Sequence, residues 1–477
     1  MMMDTPRRRP VVAILGGGLS GAITAFHLAR AIAPGAAEIV VVEPRAALGG
    51  GLAYSTDEPA HRINVPASKM TIVSAEPDHF MDWLAAARVE MSPGTLTLRG
   101  DFFPERGIFG RYVAAQLAPL LEQGALRHRR TAAVALHRSG ARWLVDLADG
   151  ASFGADLVVL AMSHPVPALP APLRGLTDWP GLVADPYDAA RTARLADSHN
   201  LLIVGTGLTS ADVVASLARR GHRGRILALS RHGLRSRGHG VVARKSEADF
   251  AAAPATTALA LLRRIRAAVA ADRARGESWH ATLDRVRDQG QPIWAALPPA
   301  ERGRLLRHLR AFWDVHRFRV APQVEETLDG LVRAGRLDTV AARLVAARRV
   351  EDGVEVTWRR RGGGVTETAI FDAVAVTTGP DHGSALRSNP VFRGLAAEGV
   401  IRPDPNGLGL LVADHCRAVD AADRPSASLF VVGPLARGHV GELMGVPEVT
   451  RHAEHVAAEI HAGVKAFAAG AAVRAAG

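Results

Sequence analysis

Three glycines in G-x-G-x-x-G spacing, Gly16, Gly18 and Gly21, follow the apolar run VVAIL and open a segment with Ala22, Ala25 and Ala29 at helical spacing. Each has its own task in gripping a diphosphate. Gly16 permits a tight turn, Gly18 lets backbone approach the phosphates, and Gly21 lets the new helix pack on the strand, while the amides of Leu19 and Ser20 open the helix N-terminus toward the anion. The strand EIVVVEP then ends at Glu43, where a carboxylate accepts hydrogen bonds from both ribose hydroxyls; Pro44 and Arg45 follow it. A second cradle, LLIVGTGLTSADVV, carries Gly205 and Gly207 with Leu208 and Thr209 at the helix start and Ser210 in the third small position. Its second strand, RILALS, ends in Ser230-Arg231 without an acid, so a guanidinium is available there for a 2′-phosphate; a solvated loop arginine is the other reading of Arg231.

These units repeat. Each cradle is followed well downstream by an apolar strand ending in small residues, Asp156 to Ser163 (DLVVLAMS) and Asp372 to Gly379 (DAVAVTTG), with alternating segments such as Ala141 to Leu147 and Val354 to Arg359 between. The expected fold is α/β, with two Rossmann-like three-layer dinucleotide-binding domains of glutathione-reductase type. The division is 1–196 for the first part of an FAD-binding domain, 197–380 for an NAD(P)H-binding domain, and 381–477 for the return segment and C-terminal helix of the first. A helical insertion is expected over about 251–337, from LALLRRIRAAVAADRAR and ERGRLLRHLRAFWDVHRFR, the second introduced by Pro298-Pro299. Pro165 to Pro186 reads as the connection between the two folds, and the terminal RAAG as frayed.

The chain of 477 residues, 48% hydrophobic and 22% charged, is long enough for two or three cores. Its formal charge of +11 is arginine, spread along the chain with few aromatics between, which argues for an anionic cofactor and against nucleic acid. Cys416 is the only cysteine, so a disulfide relay, a cysteine zinc site and an iron–sulfur cluster are all excluded within this sequence, and no metal site is expected. No signal peptide and no membrane-spanning run is apparent, and the expected location is cytoplasmic.

The chain resembles the bacterial FAD/NAD(P)-binding proteins of the YdhS-like group, within the glutathione-reductase-like, flavin-monooxygenase-like superfamily. The resemblance runs nearly full length and rests on GGGLSG, LGGGLAYSTDEPAHRINVPASKM (Leu48 to Met70), FPERGIFGRY (Phe103 to Tyr112), VGTGLTSADVVASL, RHLRAFWDVHRFRVAP (Arg307 to Pro322), VVGPLARG and GVPE. It implies an isoalloxazine beside the segment after Glu43, which contains Gly51, Leu52, Asn64 and Val65, and a C-terminal helix starting around Pro447 to Thr450, with Glu448 in its first turn, aimed at the flavin. Reduced flavin is negative at its pyrimidine edge, and a helix N-terminus stabilises that charge. Gly433 after SLFVV and Gly379 after the second closing strand are placed where backbone meets cofactor. Two departures stand out. Gly441 replaces the aromatic usual before Glu442, which implies a larger pocket, and Trp179-Pro180-Gly181 lacks the histidine of better-known flavin monooxygenases.

With FAD on the first cradle and NADPH, in preference to NADH, on the second, oxygen is the most available acceptor. The expected activity is a monooxygenase that N-hydroxylates a small amine or amino acid through a hydroperoxyflavin. A flavin oxidoreductase without oxygen insertion and a non-catalytic flavin-binding regulator are the alternatives. Asn64 is a candidate to hold a flavin intermediate or a loop asparagine; Arg62 a candidate clamp for a substrate carboxylate or an ion-pair residue. The basic stretch Ser230 to Lys245 reads as phosphate- or substrate-facing, or as a solvated loop. His308, Trp313, Asp314, His316 and Arg317 read as a salt-bridge network or a lid over substrate. A homodimer is possible; membrane association is not expected.

Overall fold

The computed structural model describes residues 8–162, 167–379 and 384–476, with the side chains of 468 and 470–476 left aside. Ser163, Pro165 and the terminal Gly477, named above, lie outside the described residues. The apolar runs form strands buried on both faces, as parallel strands covered by helices must be: in Val11–Leu15, Glu38–Val42 and Asn200–Val204 every residue but the first is buried.

Two seven-stranded sheets result. In the first, Pro425–Val431, Leu157–Leu160, Val11–Leu15, Glu38–Val42 and Arg127–Arg129 run parallel in that spatial order, so the C-terminal return segment completes the sheet that the N-terminus began. In the second, Leu337–Val350, Arg225–Ser230, Asn200–Val204, Ala373–Val376 and Leu182–Val183 are parallel. The expected meanders are present: Arg142–Leu147 sits in a separate three-stranded antiparallel sheet, and Gly353–Arg360 pairs with the far half of Leu337–Val350. That 14-residue strand pairs parallel through Ala341 and antiparallel from Ala342 on.

The insertion is helical but shorter than expected. Ala258–Ala274, Trp279–Asp288, Gly290–Ala296 and Pro299–Arg317 belong to it, whereas Pro322–Arg333 buries Val324, Leu328 and Leu331 in the main core and leads straight into Leu337–Val350. This last helix is the crossover that two parallel strands require. Two of the four insertion helices, 279–288 and 290–296, carry too short an apolar pattern to have stood out in the sequence.

Polar contacts lock the two nucleotide folds together. Arg106, at the start of helix Arg106–Glu122, donates to both Asp212 oxygens at 2.6 and 2.9 Å, and its Nε donates to Arg62 O at 2.8 Å. Asp212 lies on the second-cradle helix Leu208–Arg219, whose end is held by Glu58 against Arg219 at 2.5 Å and Arg220 at 3.0 Å. The FPERGIFGRY motif thereby gains a cause. A Cβ at Gly107 would stand 2.5 Å from Thr56 O, and one at Gly110 would collide with Tyr54 O, so only glycine lets this helix reach the 54–56 loop. Asp212→Ala, which strands the buried Arg106 charge, is expected to lower the unfolding free energy by about 3–5 kcal/mol in urea titration; a loss under about 1 kcal/mol would show the pair to be dispensable.

Candidate functional site

In the first cradle, the three glycines divide as their spacing requires. Gly16 has φ +103°, and a Cβ there would lie 2.6 Å from Ala161 O. A Cβ on Gly21 would overlap Gly16 O, so helix Leu19–Ala31 touches the turn backbone to backbone. At Gly18 a Cβ would meet only Gly51 Cα, at 3.4 Å. Of the three, the middle glycine alone could carry a Cβ at no more than an ordinary van der Waals contact. Gly17 was not singled out by the spacing, yet its amide donates to Glu43 Oε2 at 2.9 Å, and a Cβ there would stand 2.7 Å from Glu43 Cβ. Glu43 is 4% exposed; Oε1 also accepts from Arg45 N at 3.2 Å and Arg45 Nη1 at 2.9 Å.

The second cradle repeats the pattern. Gly205 has φ +122° and lies against Thr377 O; Ser210 is buried; Gly207 has nothing within 4 Å of its Cβ position. Thr209 and Leu208 form the first turn of the helix. Arg231 is exposed and has no hydrogen bond or ion pair among the described residues. Beside it, Arg361 Nη1 lies 2.5 Å from His232 Nδ1, adding a second cation that the sequence placed far away. Gly379 has φ +80° with open space around it.

The return segment closes on the first cradle. Gly433, φ +76°, sits so near Ser20 that any Cβ would overlap its side chain. Gly433 N donates to His452 Nδ1 at 3.2 Å, and His452 Nε2 lies 3.4 Å from Cys416 Sγ. Burial pushes the imidazole down to about 4 and the thiol up to about 12, so neither titrates near neutrality. His452 rides on the C-terminal helix Val446–Ala476, which begins where expected, with Pro447 and Glu448 in its first turn.

Several candidates are occupied otherwise than expected. Arg62 is 8% exposed and gives its guanidinium to Thr95 Oγ1 (2.8 Å), Phe103 O (3.3 Å) and Ser92 Oγ (3.3 Å), with Glu105 at 3.7 Å. It ties the 92–105 loop to the core rather than offering a clamp. Glu448 faces Arg287 at 2.9 Å and Arg317 at 3.3 Å, an ion-pair role that the first-turn position did not disclose. Asn64 differs: its carbonyl accepts from His239 Nε2 at 3.0 Å, while its half-buried side-chain amide has no partner among the described residues. Val65 is buried, Leu52 exposed. His239 brings the basic stretch 230–245 across to the first unit, and burial holds its ring down at about 4. The place of the aromatic missing at Gly441 is filled from elsewhere. A Cβ there would lie 2.6 Å from Trp294 Cγ, and Trp294 Nε1 donates to Gly438 O at 2.8 Å, so the expected enlargement does not arise.

Residues 13–165 match a family described as FAD-NAD(P)-binding. No curated protein matches the chain. Among solved structures, the chain is similar to the reduced ornithine hydroxylase of Pseudomonas aeruginosa, at 15% identity over 96% of this chain and 99% of that one, TM-score 0.64. It is also similar to the ornithine N-hydroxylase of Kutzneria sp. 744, solved with reduced FAD, NADP+ and L-ornithine (17%, 96% and 99%, TM-score 0.64), and to the L-lysine 6-monooxygenase of Pseudomonas syringae (18%, 96% and 99%, TM-score 0.64). At such identities the likeness establishes the fold, two Rossmann-like domains with parallel sheets. Among the described residues no helix is long and apolar enough to cross a membrane.

Two outcomes follow from the geometry. Gly18→Val should purify colourless, because the side chain would fill the only open face of the first turn; a yellow variant would mean the first cradle is misassigned. His452 and His239 are neutral in the fold, each near 4 instead of the ordinary 6.5. An imidazole depressed in the native state contributes its full stability above about pH 6.5 and loses it as pH falls toward 4. Since protonating His452 Nδ1 removes the acceptor of Gly433 N, thermal stability and bound FAD should both decline across that window. Flavin retained unchanged down to pH 4.5 would contradict this.

Proposed function

We propose that this chain is an FAD- and NADPH-dependent oxidoreductase that inserts oxygen into the nitrogen of a small amine or amino acid. The observation that carries the cofactor half is the pair of middle positions with room at Cβ, Gly18 and Gly207, each preceded by a glycine whose Cβ would strike backbone and followed by a buried small residue, Gly21 or Ser210. In the first, the free amides of the Leu19–Ala31 helix hold the FAD diphosphate and Glu43 takes the ribose, Arg45 giving way at Oε1. In the second, Arg231, with Arg361 beside it, meets the 2′-phosphate of NADPH. The free amide of Asn64 and the N-terminus of Val446–Ala476 flank the place for the isoalloxazine, the helix end favouring negative charge there.

Bound flavin supplies hydride acceptance and oxygen activation. The overall balance is NADPH, a proton, oxygen and amine giving NADP+, water and hydroxylamine. Oxygen as acceptor is supported by the lone, buried Cys416, which leaves no thiol relay in this sequence, and by the full-length likeness to amino-acid N-hydroxylases. The resemblance to the YdhS-like group rests on the motifs from Leu48 to Met70 and Phe103 to Tyr112. Cytoplasmic residence accords with this use of NADPH.

The test is stoichiometry. NADPH consumed, oxygen consumed and hydroxylamine formed should agree within experimental error for the right amine; anaerobic turnover with an organic acceptor would make the protein a reductase instead, and FAD that NADPH never bleaches would make it a binding protein. Arg231→Gln should raise the NADPH concentration for half-maximal flavin reduction about tenfold or more, as loss of a charge-assisted bond worth about 1.5–3 kcal/mol implies, and leave that for NADH unchanged. Equal effects on both would remove Arg231 as the phosphate partner.

A further inference from the structure

Between the insertion helix Pro299–Arg317 and the segment leading into the C-terminal helix lies a buried cluster of charge that the proposed cofactor sites do not use. Arg317 pairs with Glu442 at 2.9 Å, and Glu448 bridges Arg317 and Arg287. These groups satisfy one another. Two others do not. Arg437, on the short helical turn Arg437–Val440 just after the Gly433 turn, is 5% exposed; its carbonyl accepts from Gly441 N at 2.8 Å, but its guanidinium has neither hydrogen bond nor ion pair among the described residues. The charges near enough to act on it are the cations Arg310 and Arg317 and the carboxylates Asp314 and Glu442. Asp314 has one oxygen, Oδ1, shut away from solvent without a hydrogen bond, while Oδ2 receives only a 3.4 Å contact from Arg310. Desolvation raises its pKa.

An unpaired buried guanidinium and an orphaned buried carboxylate oxygen are each costly, and native structures keep such groups where a ligand satisfies them. Here the unpartnered guanidinium of a residue 5% exposed and the shut-away Asp314 Oδ1 occur in one cluster, with opposite charge and no hydrogen bond or ion pair between them. We propose that Arg437 and Asp314 receive the carboxylate and ammonium of an amino-acid head group, and that the ligand class of this protein is therefore a zwitterion and not a simple amine. The planar fork of Arg437 suits a carboxylate, and the position ties the ligand to the reaction, because Glu442 and Glu448 of the same cluster flank the start of the helix assigned to the flavin. An ammonium held by Asp314 keeps its proton and is no nucleophile, so the atom that reacts lies elsewhere on the ligand. This inference rests on the proposed function for its link to chemistry, but not for the binding itself.

The experiment is equilibrium binding to the FAD-loaded protein, without NADPH or oxygen, by calorimetry or flavin difference spectra. The standard amino acids and ornithine are screened first; at least one should bind in the millimolar range or tighter, and no binding by any of them would overturn the proposal. For the amino acid that binds, the partner lacking the carboxylate and the partner lacking the α-ammonium are then compared, as with L-lysine, cadaverine and 6-aminohexanoate. Each deletion should weaken binding tenfold or more. Arg437→Gln should abolish the preference for the carboxylated ligand and Asp314→Asn that for the ammonium, with FAD content unchanged and Arg437→Lys partly restoring the first. Equal affinity for all three compounds, or preferences untouched in the variants, would overturn it. Zwitterion binding without hydroxylamine formation would instead retire the oxygenase reading and leave the site standing.

Discussion

The backbone of one turn pressed against the backbone of one helix sets everything else in this molecule. At Gly16 and Gly21 turn and helix meet backbone to backbone, and at Gly205 the turn lies against Thr377 O with Ser210 buried in the helix that follows, so that each helix starts directly at the end of a strand and its first amides project past the sheet edge instead of into it. The central glycine stays bare only because its neighbours do not. Gly17 adds to this, since its amide is anchored on Glu43, the carboxylate proposed for the ribose, so the cradle and that side chain hold each other in place. The return of the C-terminal chain to Ser20 through Gly433 completes an anion-receptive rim from three separate stretches of sequence.

What could be read from the sequence is what depends on local backbone demands. Both cradles, the strands that close them, the meanders and the start of the C-terminal helix follow from spacing rules with a period of a few residues. What could not be read depends on partners far along the chain. Arg62 read as a carboxylate clamp or an ion-pair residue because Thr95, Ser92 and Phe103, its partners in the fold, are some thirty to forty residues distant. Glu448 looked like a helix-start acid because nothing in its own neighbourhood announces Arg287. Trp294 lies far in sequence from the gap at Gly441 that it fills. The crossover helix Pro322–Arg333 was taken into the insertion because its amphipathic period is the same as that of its neighbours; only the surface it buries tells them apart.

The insertion is thus more than an appendage on the second unit. It brings Trp294, Arg287, Arg317 and Asp314 to the point where the chain returns to the first unit, and it does so on helices whose own cores are modest, centred on Phe250, Leu261, Ile293 and Leu297. Ion pairs between long side chains contribute little when exposed, but these are buried, and removing one partner leaves an uncompensated charge. Such a contact specifies where two bodies meet more than it stabilises either.

The repeat apparent in the sequence conceals a mechanical inequality. In the first unit the meander is a sheet of its own, whose last strand, Ser152–Ala155, passes through Asp156 into Leu157–Leu160 of the ladder. In the second, the strand Leu337–Val350 is shared: one end is zipped to Arg225–Ser230 and the other to Gly353–Arg360, with a register irregularity between Leu344 and Ala346. That meander and the strand beside the second cradle are therefore joined through one continuous backbone segment. Duplicated architecture has here produced one half whose meander shares a strand with its ladder and one whose meander does not.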